Sequence, residues 1–193
     1  MRMARWFLGA FLLGWMTVTL GCSGEEPQVG GEVSSPLVAP AGQQAAGVSW
    51  TKPARWALMP ERPMRAATYL IPAASSDSED AECGVFFFGP GQGGSVQDNL
   101  RRWAVQFERP RAAKQNQQVI SNFIVHTLDL AGTYLSSAGS MGPATERKAH
   151  FRMLAAIVEA PDGLVFFKLT GPEKAVEAAD PEFKALLASL KRR

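Results

Sequence analysis

The chain carries two histidines, His126 and His150, and two cysteines, Cys22 and Cys83, among its 193 residues. Nucleophilic catalysis needs a hydroxyl or thiol beside a base, and a metal centre needs several His, Cys, Asp or Glu at fixed spacing. Neither arrangement is written here: GxSxG, HExxH, paired-cysteine spacing and an EF-hand loop are all missing. Cys83 opens the apolar run in AECGVFFFG, where a buried, inert thiol is expected. His126 falls in an alternating stretch, Phe123, Val125 and Thr127 against Ile124, His126 and Leu128, and is expected on a surface or in a groove. An envelope hydrolase or redox enzyme using His126 or Cys83 is the alternative reading. It requires one of these side chains to be exposed in a cleft beside an acid.

A second pattern is Gly89-x-Gly91-x-x-Gly94, with Glu108 lying 19 residues beyond Gly89. In a dinucleotide fold such glycines allow tight turning and close approach of a pyrophosphate to a helix N-terminus. The acidic residue must then end a second parallel strand. Glu108 instead follows an amphipathic helix directly, with Pro110 behind it, so no βαβ unit closes. A glycine-rich strand-to-helix turn is expected, with Gly91, Gly93, Gly94 and Ser95 able to offer backbone amides to an anion. Arg101 and Arg102 flank Trp103 on that helix. They are read as a solvated flank or as a partner-contact patch. In DLAGTY, Asp129 and Tyr134 are candidates for a groove wall, or else for residues shaping a bulge or turn.

These residues need elements to hold them. Met64 to Ile71 reads as a strand closed by Pro72, and Cys83 to Phe88 as a more buried one. Ser95 caps a helix in which Val96, Leu100, Trp103 and Phe107 form one apolar face, stopping before Pro110. The polar run 111–118 reads as a connection. Asn122 to Leu128 and Gly132 to Ser136 read as two strands joined at 129–132, and 137–149 as a loop. Phe151 to Glu159 and Leu164 to Thr170 form a hairpin about Asp162-Gly163. A last helix is expected with Asp180 as cap and Pro181 as first residue, its stripe being Phe183, Leu186, Leu187 and Leu190. Strands joined by short connections pair antiparallel. The expected class is α+β, with six to seven strands flanked by two or more helices, over a single domain of residues 48–193.

Ahead of that domain, residues 23–47 are rich in Gly, Pro, Ser, Ala and Gln, and read as a flexible tether. Residues 1–21 carry Arg2 and Arg5 before an apolar run from Trp6 to Leu20, the pattern of an export signal. The signal ends in Thr19-Leu20-Gly21-Cys22, which resembles the lipobox of bacterial lipoproteins, with Thr19 where Leu is usual. That resemblance implies cleavage after Gly21, acyl chains of the palmitate type on Cys22, and an envelope location facing the periplasm or outer membrane. The whole chain has 20 Lys and Arg against 18 Asp and Glu. Removing residues 1–21 takes two Arg and no acid, which leaves 18 against 18 and no electrostatic case for nucleic acid.

Three stretches, GPGQGGSVQDNLRRWAVQF (89–107), DLAGTY (129–134) and FRMLAAIVEAPDGLVFFKLTGP (151–172), resemble a group of small bacterial lipoproteins without assigned activity. The order of strands and helices is similar to that of the photosystem II PsbP subunit and the Mog-type Ran-binding proteins. The resemblance implies a binding or assembly domain rather than an enzyme. The expected partners are a membrane, through the lipid anchor, and an unidentified protein or small molecule; no cofactor is expected.

Overall fold

Alternation along the last two long strands divides the sheet into two faces. Val165, Phe167 and Leu169 point to one side, and Phe166, Lys168 and Thr170 to the other. The computed structural model describes residues 43–73, 79–137 and 144–193. The export segment, Cys22, the tether up to residue 42, the middle of the SSDSED loop and GSMGP (139–143) lie outside the described residues. Within them the strands are β1 (Gln44–Ala45), β2 (Val48–Ser49), β3 (Ala57–Leu58), β4 (Ala67–Ile71), β5 (Ala81–Phe86), β6 (Phe107–Ile120), β7 (Phe123–Ser137), β8 (Ala144–Ala160), β9 (Gly163–Pro172) and β10 (Lys191–Arg192). The helices are α1 (Val96–Ala104) and α2 (Glu173–Ala188).

Seven strands form one antiparallel sheet in the order β3-β4-β5-β9-β8-β7-β6, and β1, β2 and β10 form a small second sheet. The fold is α+β, as expected. Helix α1 lays Leu100 and Trp103 on one face, against Leu128, Leu130, Met153, Ile157 and Phe166. Helix α2 lays Val176, Ala179, Phe183, Leu186 and Leu187 on the other, against Val125, Ala156, Val158, Phe167 and Leu169. Each of these large side chains contributes roughly 1.5–3 kcal/mol by leaving water.

Several boundaries differ from the sequence expectations. Helix α1 ends at Ala104, and Phe107 starts β6 instead of completing the helix stripe. The run 111–118 is not a connection but the body of β6, a fourteen-residue edge strand. Polar residues suit an edge that is exposed on both faces, and that exposure is why no alternation marks it. Likewise β7 is one continuous strand through Asp129–Gly132, because its pairing with β8 persists across them. Strand β8 starts at Ala144, inside the expected loop. Helix α2 starts at Glu173, and Pro181 lies inside it. Proline there costs roughly 3 kcal/mol. Burial of Ala175, Val176 and Ala179 against the sheet holds the preceding turns despite that. The folded unit also begins earlier than Val48, since β1 pairs with β2 and Ala46 is buried.

Candidate functional site

The glycine-rich turn sits between β5 and α1. Ser95 is the N-cap: its Oγ accepts from the Asp98 amide at 3.1 Å and donates to Asp98 Oδ2 at 2.6 Å. Asn99 Nδ2 donates to the carbonyls of Gly93 at 2.7 Å and Ser95 at 2.9 Å. At Gly93, with φ +91°, a Cβ would stand 2.9 Å from the Phe88 ring and 3.0 Å from that of Phe166. Packing therefore accounts for Gly93. A Cβ at Gly91 would meet nothing among the described residues, and one at Gly94 only the ends of the Asn99 and Arg102 side chains. The Ser95 bonds and the Arg101 contact hold the Asp98 carboxyl below the usual carboxylate range. A carboxylate thus already lies at the start of this helix. Arg101 pairs with Asp98 and stays 72% exposed, and Arg102 is exposed as well, while Trp103 is buried edge-on to Phe166.

Cys83 is fully buried, and burial pushes its thiol well above the ordinary range, so it is no thiolate nucleophile. His126, expected on a surface or in a groove, is largely buried. It is 8% exposed, with Nε2 2.7 Å from Glu159 Oε1. Burial follows from its place in β7, paired on one side with Gln117 of β6 and on the other with Ile157 of β8. The two residues also stand apart: Cys83 belongs to the α2-side core, whereas His126 lies on the face of Leu128 and Leu130. His150 is exposed on β8.

Asp129 and Tyr134 do not share a groove. Their odd and even positions on β7 send them to opposite faces. Asp129 accepts two bonds from Arg152, both at 2.9 Å, and Arg152 also reaches Asp180 of α2 at 3.2 Å. This network pins α2 to the sheet. Tyr134 lies on the other side, stacked on Phe151 with ring centroids 5.9 Å apart.

Beside Tyr134 is a cluster the sequence reading missed. Lys168 projects from β9 on the α1 side, paired across the sheet with Gly84, which has no side chain, and with Ala155, whose methyl is too small to cover it. Its Nζ donates to Gln106 Oε1 at 2.6 Å and lies 3.4 Å from Tyr134 OH. Nearby, Arg65 Nη1 donates to Glu82 Oε1 at 2.5 Å and to Thr68 Oγ1 at 3.2 Å, its guanidinium lying over Phe86. Arg62 joins Glu82 at 3.0 Å. Lys148 lies over Phe151 and bonds Glu79 at 2.5 Å. Thr170, two residues along from Lys168 on the same face, has a buried hydroxyl with no partner among the described residues. Burial, reinforced by Arg65, lowers Lys168 to about 8, against an opposing pull from Glu82. Burial likewise raises Tyr134. The cluster is thus rich in donors, walled by aromatic rings and half-buried. One signal was available in the sequence: Lys168 is the only charged residue in GLVFFKLTGP.

No family model matches this chain, and no curated protein does. Among solved structures, similarity is found to a Pseudomonas aeruginosa protein of unknown function suggested to be a regulator. It has 13% identity and a TM-score of 0.45, over 72% of this chain and 98% of that one. The cyanobacterial PsbP (CyanoP) of Synechocystis sp. PCC 6803 is similar at 14% identity and a TM-score of 0.45, over 82% of this chain and all of that one. Likeness at that level says nothing of what this chain binds.

Proposed function

We propose that this protein is an envelope lipoprotein, held to the membrane through Cys22, whose α+β domain binds a small acidic ligand at the Lys168 cluster. The observation that carries the ligand site is Lys168 itself. A half-buried ammonium costs stability, and the sheet could host a leucine there at no such cost. Arg65, Lys148, Lys168, Gln106, Tyr134 and the Thr170 hydroxyl, which has no partner among the described residues, together offer more donors than Glu82 and Glu79 absorb. A carboxylate-bearing molecule would complete that set, its body lying against Phe86, Phe151 and Tyr134. The envelope location rests on the export signal and its Gly21-Cys22 end.

Two measurements test this reading. Labelled palmitate fed to the expressing cell should enter the protein and be lost in Cys22→Ala. A panel of small carboxylic acids, screened by thermal shift on the full chain, should yield a stabilising member that no longer acts on Lys168→Met. An inert panel would remove the ligand site. A single crosslinked protein companion, lost in Arg101→Glu/Arg102→Glu, would instead favour a partner surface on α1, whose outer face keeps Arg101 exposed.

A further inference from the structure

We infer that the groove between the bulges of β6 and β8 is a second site, which binds a phosphate group. The register of β6 against β7 shifts between Glu108 and Ala112, and that of β7 against β8 shifts between Gly132 and Tyr134. The two irregularities flank the same short piece of β7. Gly132 stands between them, where a Cβ would come within 3.2 Å of Pro110 Cα. The result is a groove of about 330 Å³ whose charged lining is Arg109, Arg111, Arg147, His150 and Glu108.

Three features point to an oxyanion. Arg109 and His150 both take the left-handed backbone region, at φ +46° and +56°. Non-glycine residues held there cost on the order of 1 kcal/mol each, and such strain clusters where side chains are aimed at a ligand. Here the two strained residues come from different strands yet line one groove. Secondly, Arg147 is held by Glu108, and Arg111 by Glu173 at the start of α2, which fixes two guanidiniums at its rim. Arg109 and His150 have no partner among the described residues. Thirdly, three arginines and His150 stand against Glu108 in the lining and Glu173 at the rim, with Thr133 beside them. A phosphate carries more acceptor oxygens and more charge than a carboxylate, and so suits several guanidinium groups at once. The phosphate could be free or carried on a lipid head group, and one experiment separates these sources.

The full chain, in zwitterionic detergent at fixed ionic strength, would be dialysed to equilibrium against labelled inorganic phosphate. In parallel, micelles with and without phosphatidylglycerol would be assayed for retention. Arg109→Gly removes the guanidinium where glycine relaxes the backbone, so this variant should keep its fold, and Arg147→Gln gives a second, independent loss. Saturable binding of one phosphate per chain, weakened at least tenfold in both variants and unchanged in Lys168→Met, supports the site with a free ligand. Retention only on phosphatidylglycerol micelles, lost in both variants, supports it with a lipid head group. No saturable binding of either, or binding indifferent to both variants, overturns it.

Discussion

Raising the pH from 6.5 to 9.5 should stabilise the wild-type chain relative to a Lys168→Met chain, and the size of the gain follows from the surroundings of the amine. Lys168 titrates at about 8 in the folded chain, against an ordinary 10.5. Protonation is therefore about 3 kcal/mol harder in the folded state than in the unfolded one. Below pH 8 both states carry the proton, and the folded state bears that whole cost. Between 8 and 10.5 the unfolded chain keeps its proton while the folded chain releases it, so stability rises with pH. By pH 9.5 about 2 kcal/mol of the cost is relieved. Other groups work in the opposite direction. Burial raises Tyr69 to about 12 and also raises Tyr134 and Cys83. Their folded forms keep protons that the unfolded chain gives up, which lowers stability at high pH. Arg65 and Glu82 are the charged groups that face the amine. Comparison with Lys168→Met cancels all but the small response of Tyr134. Urea unfolding followed by tryptophan fluorescence suits the measurement, since Trp50, Trp56 and Trp103 are buried. A difference between the two chains that stays within about 0.5 kcal/mol from pH 6.5 to 9.5 would refute the desolvation argument, given the shift it rests on.

Cys83 should resist a thiol reagent in the native chain and react only on unfolding, because burial both covers the thiol and suppresses the thiolate; prompt labelling of the folded protein at pH 7 would contradict this. Gly93→Ala should lower stability by roughly 1–3 kcal/mol in urea titrations, through the contact with Phe88 and Phe166 added to a positive φ. A neutral result would show that the turn repacks freely. Asp129→Ala should cost more, on the order of 3 kcal/mol, because it leaves the mostly buried Arg152 guanidinium with Asp180 alone. Converting both Asp129 and Arg152 to apolar residues should recover much of that loss.

The legible parts of the fold were those in which local chemistry and packing agree. Asp162-Gly163 forms the β8–β9 turn, and Gly163 adopts φ +133°, which only glycine takes easily. Leu100 and Trp103 face the core as their helical spacing requires. Where local and tertiary preferences part, the tertiary contacts win. Asp180-Pro181 carries the signature of a helix start, yet Asp180 serves Arg152 and the helix runs through from Glu173. Strand β6 was hidden because an edge exposed on both faces has no periodicity to show. The candidate sites suffered in the same way. Asp129 and Tyr134 lie close in sequence but are separated by the thickness of the sheet. Lys168, Arg65, Gln106 and Tyr134 come from four elements or their flanks, and only the pairing order β4-β5-β9-β8-β7 brings them together.

The small β1-β2-β10 sheet has a mechanical meaning. Lys191 pairs with Ser49, and the Arg193 amide donates to the Gly47 carbonyl at 3.0 Å, so the chain leaves the domain beside the point where it enters. Tension applied through the residues ahead of Gln43 would fall first on the bonds that Gln43 accepts from the Trp50 and Lys52 amides, and then on the two residue pairs joining β1 to β2. These would open like a zipper, one bond at a time, and the pairs of β2 with β10 would follow before the load reached the Trp50 side chain. That indole is wedged edge-on to Phe167 and donates to Tyr69 OH at 2.8 Å. The small sheet would act as a fuse, yielding a few residues of slack while the seven-stranded sheet and both basic clusters stay unloaded.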